Sequence, residues 1–377
     1  MDFNTSDELK SVQQLAQQII GDFTEVDKLK AIETTEERFD CDLWMALAEA
    51  GLLGLDVDET HGGMGLGFFS LTTLCEEVGR CVAPVPVIPS LVSAAATLTR
   101  FGTDNQKETY LPGVVAGTTI LGAALEEYGN DDPATPAATA AAVEGGYSVS
   151  GTKITVTNAA AANRLLMTAR AGEELVMLLV DPKAAGLTLN PQVVTSGETR
   201  SEVVMESVQV PSEDVVATGS EAARAAAWAL AATRTALAAY AVGLCDKMMR
   251  ITGQYTSERE QFDRPIATFQ AVSHRVADCY IDVECLRLVT QQAASLIDQG
   301  RDATEAVLMA KIWCGNVTHR VSHASQHCHG GTGVDRDYPL FRYCLVARQV
   351  ELSAGNSAAL TGELGSRIAT EYLAART

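Results

Sequence analysis

The spacing of apolar residues changes twice along the chain. In the first part, apolar positions recur every three or four residues, and this period predicts helices. The clearest examples are "ELKSVQQLAQQIIGDF" and "DCDLWMALAEAGLLGL". We expect Asp40 to cap the second of these helices at its N-terminus and Gly54 to end it.

The pattern becomes strand-like near residue 117. Short stretches rich in β-branched residues are separated by Gly, Asn or Pro, which is typical of strands. They read "TTILGAALEE", "GYSVSGTKITVTNA", "NRLLMTARAG", "ELVMLLVDP" and "SEVVMESVQVP". The helical period then returns in four long segments, around 221–256, 270–299, 302–328 and 344–372.

This order predicts an α+β fold with three domains. We expect an N-terminal helical domain over residues 1–116 and a middle β-domain, a barrel or sandwich, over residues 117–216. Residues 217–377 have segment lengths suited to a C-terminal four-helix bundle.

Composition and charge narrow the class of protein. The 377 residues are 47% hydrophobic, and the net charge of −20 argues against nucleic acid or anionic membranes as general partners. Nine scattered cysteines without a CxxC pair predict reduced thiols in a cytoplasmic protein, and the polar, acidic N-terminus does not resemble a signal peptide. The most apolar run, "AAAWALAATRTALAAYAVGLC", contains Arg234 and is expected to be a buried helix rather than a membrane span.

Four motifs, in order along nearly the whole chain, resemble the acyl-CoA dehydrogenase family of flavoproteins. "SEREQFDRPIATFQAVSHRVAD" resembles the family signature Arg-Glu-x-Phe-Gly-x-Pro-(x)3-Phe-Gln, with Asp263 in place of glycine. "HGGTGVDRDYPLFRY" is similar to its Gly-Gly-x-Gly turn with the following Tyr-Pro and Arg-Tyr pairs. "ETHGGMGLG" and "DNQKETYLPGVVAG" are similar to two N-terminal signatures.

The resemblance implies the same three-part fold, FAD bound between subunits, and an acyl-CoA substrate. The family's reaction removes two hydrogens from the α and β carbons of the thioester. A carboxylate takes the α-proton, and FAD accepts the β-hydrogen as hydride.

Both places where the family keeps that carboxylate lack an acid here. Ala354 stands where a Glu-Gly-Thr sequence usually lies, and Thr233, before Arg234, stands where some relatives have a glutamate. Neither alanine nor a threonine hydroxyl is a general base near neutral pH. The alternatives within this chain are a relocated base at Glu351, which we expect to be a solvated or salt-bridged surface acid, or at Glu127.

The residues expected at the flavin ring also depart from the family pattern. The resemblance places Glu126 at a position usually held by threonine and Thr155 at one usually held by tryptophan, while Thr157 and Asn158 match. A carboxylate beside a flavin that gains negative charge on reduction is unfavourable. We therefore expect Glu126 to be a solvent-exposed loop acid where no ring binds.

The adenosine end of the FAD site, which each subunit of the family lends to its neighbour, is better preserved. The resemblance assigns FAD contacts to a set of seven residues, in which His327 replaces the usual glutamine: Arg259, Gln261, Phe262, His327, Gly330, Gly331 and Gly333. Glycines allow close backbone approach to a dinucleotide, and the arginine supplies charge for the pyrophosphate.

Together these features resemble the non-catalytic subunits of the heteromeric α2β2 acyl-CoA dehydrogenases of actinobacterial steroid side-chain, including cholesterol, degradation. The resemblance implies a homologous catalytic partner that carries the base and the flavin pocket. The alternatives are a self-sufficient dehydrogenase with a relocated base, and a pseudoenzyme that only binds acyl-CoA or a protein.

Several other residues invite a chemical role. His319, His323 and His327 recur at four-residue spacing with His329 close by, which could form a metal site, but no acid accompanies them and we predict none. For Arg234 a place near the substrate and a structural ion pair remain open. We expect Arg264 on a surface, and Cys328 and Cys344 as small buried apolar groups.

Overall fold

The structure, a computed structural model, describes residues 6–374. Its contacts divide the chain into two compact units. The first comprises the part up to Leu74 together with Pro84–Thr233, and the second comprises Cys75–Ala83 together with the part from Arg234 onward. The α+β class with helical N- and C-terminal parts around a central mixed sheet is confirmed, while the domain boundaries at residues 116 and 216 stay a prediction.

The N-terminal part of the chain is helical. Its α-helices are α1 (Asp7–Phe23), α2 (Val26–Glu33), α3 (Cys41–Glu49), α4 (Gly67–Cys81), α5 (Ala96–Phe101) and α6 (Asp104–Val115). A buried π-helical segment, Val87–Ala95, precedes α5. Asp40 caps α3 as predicted, by accepting a hydrogen bond from the Leu43 amide at 2.9 Å. The prediction that Gly54 ends this helix is wrong, because α3 stops at Glu49 and the chain turns at Gly51, whose φ is 77°.

The central sheet belongs to the first unit and has eight strands: β1 (Leu121–Ala124), β2 (Thr139–Val143), β3 (Gly146–Thr157), β4 (Arg164–Ala171), β5 (Glu174–Val180), β6 (Leu187–Gln192), β7 (Arg200–Pro211) and β8 (Val215–Thr218). The strand order is β6-β7-β3-β2-β4-β5-β8, with β1 beside β4. Strand β4 pairs in parallel with β1 and β2 and antiparallel with β5, which makes the sheet mixed.

All five stretches predicted as strands contain one, namely β1, β3, β4, β5 and β7. The others were missed for local reasons. Strand β2 reads "TAAAV", and alanine is depleted in strands. Strand β6 reads "LTLNPQ", in which Asn190 and Pro191 are residue types depleted in strands. Strand β8 has only four residues, between Asp214 and Gly219.

The C-terminal part is helical again, with α7 (Gly219–Glu258), α8 (Gln270–Asp298), α9 (Thr304–His329), α10 (Leu340–Leu352) and α11 (Ser357–Ala374). The single helix predicted over 344–372 is wrong. The chain breaks between Leu352 and Ser357, where Ala354 and Gly355 have φ values of 53° and 99°. These left-handed angles cannot continue a right-handed helix.

Helix α7 is the one helix of the described residues that is long and apolar enough to cross a membrane. Of its most apolar 18-residue window, 67% is buried inside the protein. That burial is what a core helix shows, as the sequence predicts for this segment.

Candidate functional site

The backbone at Ala354 keeps a distinctive shape although its side chain is only a methyl group. The residue is 4% exposed and left-handed, and its carbonyl oxygen accepts a hydrogen bond from Arg234 Nε at 3.0 Å. The guanidinium also lies 3.5 Å from Glu363 Oε2. Of the two roles left open for Arg234, the structure therefore shows the ion pair, which ties α7 to the break between α10 and α11.

A second buried cation holds the end of α10. Lys311 is fully buried, and its Nζ donates to the carbonyl oxygens of Val350 at 3.1 Å and Glu351 at 3.2 Å. Cations are favourable at helix C-termini, where carbonyl groups lack partners within the helix. The segment around Ala354 is thus fixed by positive side chains bound to backbone oxygens.

Thr233 offers only a hydroxyl at the other expected base position. Its Oγ1 donates to the Ala229 carbonyl oxygen at 2.7 Å and lies 2.7 Å from Ser93 Oγ, in the π-helical segment. Both groups are neutral hydroxyls, and neither accepts a carbon-bound proton near neutral pH.

The two alternative bases are both engaged in ion pairs. Glu351 pairs with Arg348, and its Oε1 lies 3.3 Å from His319 Nδ1, so it is the salt-bridged acid that the sequence predicts. Helix α10 ends one residue later, at Leu352.

Glu127 is held more tightly, by Lys153 Nζ at 2.7 Å and by the amides of Ala137 and Ala138. Burial raises the pKa of Glu127, but the Lys153 ammonium and these amides outweigh it and hold that pKa below its usual value.

The two departures expected at the flavin ring are bonded to each other. Thr155 Oγ1 donates to Glu126 Oε2 at 2.6 Å, and the Ile154 amide donates to the Glu126 carbonyl oxygen at 2.9 Å. We call Glu126 and Thr155 the ring-side pair. The expectation that Glu126 is solvent-exposed is wrong: the residue is half-buried, because its carboxylate bonds the neighbouring strand.

The two matching residues of this segment serve the end of β3. Thr157 lies opposite Arg200 of β7, and the Asn158 amide donates to the Thr199 carbonyl oxygen at 3.0 Å. Asn158 has a φ of 50°, which asparagine tolerates better than most residues.

The predicted adenosine-end residues fall in two elements of the second unit. Between α7 and α8 the chain forms a small hairpin of β9 (Glu260–Gln261) and β10 (Arg264–Pro265), which we call the adenosine-side hairpin. Phe262 and Asp263 form its two-residue turn with φ values of 56° and 62°. Phe262 is 87% exposed, an unusual state for a large apolar side chain.

Arg259 directly precedes this hairpin and is exposed. Within residues 6–374 the structure shows no ion pair of its guanidinium. Arg264 is exposed as predicted, and its guanidinium stacks on the Phe269 ring at 4.1 Å. The hairpin therefore presents an arginine and an aromatic ring outward.

The second element is the turn after α9, Gly330–Val334, which we call the glycine turn. Gly330 has φ 58° and ψ −132°, a conformation that essentially only glycine adopts. A methyl group added to Gly331 would meet nothing within 4 Å, whereas one added to Gly333 would lie 3.1 Å from His329 Cβ. Internal packing therefore explains the glycine at 333 but not the one at 331.

Three histidines of α9 contact arginines, and the rings of His319 and His323 lie 4.6 Å apart between centroids. Arg275 contacts His327 Nδ1 at 2.5 Å, and Arg348 contacts His319 Nδ1 at 2.9 Å and His323 Nε2 at 3.4 Å. Among residues 6–374 no group of three or more metal-binding side chains is suited to hold a metal ion.

Sequence reasoning missed three aromatic side chains next to the glycine turn: Tyr255, His329 and Tyr338. His329 and Tyr338 stand in the same glycine motif, which gave no sign of their contact, and Tyr255 lies 74 residues before His329 along the chain. Cys328 and Cys344 were expected to be buried, but both are only partly buried. Burial still raises the pKa of Cys328, and it raises that of Cys344 to about 11.

The chemistry of the groups at these positions indicates which part of FAD this chain could bind. The exposed Arg259, Phe262 and open backbone of the glycine turn match a pyrophosphate and an adenine. The ring-side pair does not suit an isoalloxazine ring, because it presents a half-buried carboxylate that is already bonded within the chain.

Family comparisons agree with the sequence signatures. The acyl-CoA dehydrogenase N-terminal domain matches residues 6–118 and the C-terminal domain matches residues 223–369. The acyl-CoA dehydrogenase FadE27 of Mycobacterium tuberculosis is 30% identical, over 98% of this chain and 99% of its own. The chain therefore belongs to the acyl-CoA dehydrogenase family, whose members act on CH–CH bonds with FAD as cofactor.

One further relative and two solved structures show which members of the family this chain resembles. FadE28 of Mycobacterium tuberculosis is 31% identical over 86% of this chain and 91% of its own. Among solved structures, the Tcur3481-Tcur3483 steroid ACAD has a TM-score of 0.92 and 41% identity, over 97% of this chain and 99% of that chain. The ChsE4-ChsE5 complex from Mycobacterium tuberculosis also has a TM-score of 0.92, with 31% identity over 98% and 99% of the two chains.

Proposed function

We propose that this chain is the non-catalytic subunit of a heteromeric FAD-dependent acyl-CoA dehydrogenase. A homologous partner supplies the catalytic glutamate and the pocket for the flavin ring, and this chain lends the adenosine end of the site. In an α2β2 tetramer this arrangement gives two FAD, one for each pair of unlike subunits.

The observation that carries the proposal is the ring-side pair. A ring face that remained in use would keep its polar groups available to FAD, but here the carboxylate of Glu126 and the hydroxyl of Thr155 are bonded to each other at 2.6 Å. The methyl group of Ala354 and the hydroxyl of Thr233 agree with it, since neither can take a proton from carbon.

The roles of this chain's residues follow from their chemistry. FAD supplies the hydride acceptor when it is bound. Arg259 would pair with the pyrophosphate, Phe262 would cover the adenine, and the backbone of Gly330, Gly331 and Gly333 would allow a close approach of the phosphates. Gln261 and His327 would complete the polar contacts. Removal of the α-proton falls to the partner's carboxylate.

The nature of the substrate rests on similarity. Two structural neighbours are named as two-component assemblies, and one of them is named a steroid ACAD. We extend this to a bulky, steroid-derived CoA thioester, with the assembly working in the cytoplasm.

The test is co-expression of this chain with an adjacently encoded homologue that carries a glutamate at one of the two base positions. We expect copurification, one FAD per pair of unlike subunits by flavin absorbance, and turnover of an acyl-CoA. This chain purified alone should hold no stoichiometric FAD. One FAD per subunit and turnover by the lone chain would favour a relocated base at Glu351 or Glu127 and contradict the proposal. Copurification without flavin would favour a binding pseudoenzyme.

A further inference from the structure

His329, at the last turn of α9, lies at the centre of a compact aromatic cluster. The side chain is 4% exposed, and its ring stacks on Tyr255 with 4.2 Å between centroids. The Tyr255 hydroxyl lies 3.4 Å from the carbonyl oxygen of His329 itself. One tyrosine of α7 therefore contacts both the ring and the backbone of this residue.

The hydrogen bonds of His329 fit a neutral ring that is protonated on Nδ1. Nδ1 lies 2.7 Å from the Ser325 carbonyl oxygen, which can only accept, so Nδ1 carries a proton. Nε2 lies 3.1 Å from the Tyr338 hydroxyl, and in the neutral ring it accepts from that hydroxyl. Burial lowers the pKa of His329, and this favours the same neutral form.

This cluster borders the glycine turn on both sides. Gly330 follows His329 directly, and the absence of a side chain at Gly333 lets that backbone approach His329 Cβ. Tyr338 lies four residues after the turn ends at Val334. A methyl group added to Gly330 or Gly331 would meet no atom within 4 Å, so this part of the turn is not packed tightly against the described chain, and the residues at its two ends can set its conformation.

We propose that His329, clamped between Tyr255 and Tyr338, is a positioning residue that holds the glycine turn in the shape required to receive the adenosine end of FAD. This rests on the function proposed above. This role needs a neutral ring with one donor nitrogen and one acceptor nitrogen. It does not need the histidine to contact the cofactor.

Two variants remove the hydrogen bonds while preserving the packing. Tyr338→Phe deletes only the hydroxyl that donates to Nε2, and His329→Phe keeps an aromatic ring on Tyr255 but loses both bonds. His274→Phe, at an exposed histidine of α8, is the matched control. All three are measured in the complex with the co-expressed partner and in the chain by itself.

In the chain by itself, we expect Tyr338→Phe and His329→Phe to speed amide hydrogen exchange at residues 330–334 by about tenfold, corresponding to about 1.4 kcal/mol of lost local stability. In the complex, FAD should dissociate about tenfold more readily, read from flavin fluorescence, while the melting temperature of the rest of the chain changes little. His274→Phe should match the wild type in each measurement.

Two results would overturn the inference in different ways. If the wild-type complex binds FAD and both variants retain it with unchanged affinity, His329 does not position the turn, and the proposed function stands. If the wild-type complex binds no FAD, the proposed function falls and this inference falls with it.

Discussion

Two parts of this chain, which the sequence signatures assign to one kind of FAD site, differ in how their side chains are engaged. At the ring-side pair, Glu126 and Thr155 bond each other, and Glu127 is held by Lys153 and two amides. At the adenosine-side hairpin and the glycine turn, Arg259, Phe262 and Gly331 are exposed, and the Phe262 ring makes an edge contact with Phe269. Under the function proposed above, the first part satisfies its polar groups internally because it meets no flavin ring, whereas the second leaves its surface open for the adenosine end of FAD.

The largest effect on stability is expected when the ion pair between Lys153 and Glu127 is removed. Lys153→Met would leave Glu127 buried without its counter-ion, and we expect a loss of about 3–5 kcal/mol in the free energy of unfolding. Chemical denaturation at pH 7 measures it, with the exposed Lys183→Met as control. A loss below about 1 kcal/mol would show that this region is not held by its own ion pair.

The same pair predicts the acid dependence of stability. Because the folded chain holds the pKa of Glu127 below its usual value, its stabilising contribution is complete above the unfolded value of about 4.3 and is lost as pH falls through the folded pKa. Below about pH 4.3, the free energy of unfolding should therefore fall more steeply with decreasing pH in the wild type than in Glu127→Gln.

The next largest effect is expected on FAD affinity at the adenosine-side hairpin. Arg259→Gln removes a charged donor, and we expect FAD to bind the complex with partner about 10- to 150-fold more weakly, from about 1.5–3 kcal/mol for such a bond. Arg264→Gln, on the same hairpin but stacked on Phe269, should change affinity less than about twofold. Equal effects of the two variants, measured by flavin titration, would remove the distinction between them.

A smaller effect separates folding from binding within the glycine turn. Gly331→Ala meets no neighbour and has no positive φ, so the free energy of unfolding should stay within about 0.5 kcal/mol of wild type, while FAD affinity falls about fivefold or more. Gly330→Ala should lose about 1–2 kcal/mol of stability because of its backbone angles. Unchanged FAD affinity in Gly331→Ala would contradict an external approach to this turn.

The smallest effect concerns the vacated base position. Ala354→Gly should stabilise the chain by about 1 kcal/mol, because the alanine is held in a left-handed conformation that glycine adopts freely. The same change at the exposed helical Ala359 should destabilise it by about 1 kcal/mol. If both variants are destabilised alike, the backbone at residue 354 is not strained.

The sequence predicted the features that depend on the spacing of apolar residues and on the order of the motifs. The helices of both ends, five of the eight strands of the central sheet and the family all follow from recurring positions and motif spacing. The break between α10 and α11 could not be predicted, because its geometry depends on Arg234, Lys311 and left-handed angles at Ala354 and Gly355.

Contacts between side chains that only the fold brings together could not be predicted for the same reason. Glu126 was expected to be exposed because the sequence gives no sign that β3 brings Thr155 next to it. His329 and Tyr338 lie in one motif, but no local pattern connects them with Tyr255 of α7, on which the His329 ring stacks.

The hydrogen bond between Glu126 and Thr155 also couples the two positions to each other. An indole in place of Thr155 would put a bulky ring against a half-buried carboxylate, and a threonine in place of Glu126 would remove the acceptor of the Thr155 hydroxyl. The effects of substituting the two residues should therefore be non-additive, and a surface open to a flavin ring would have to be built by changing both together.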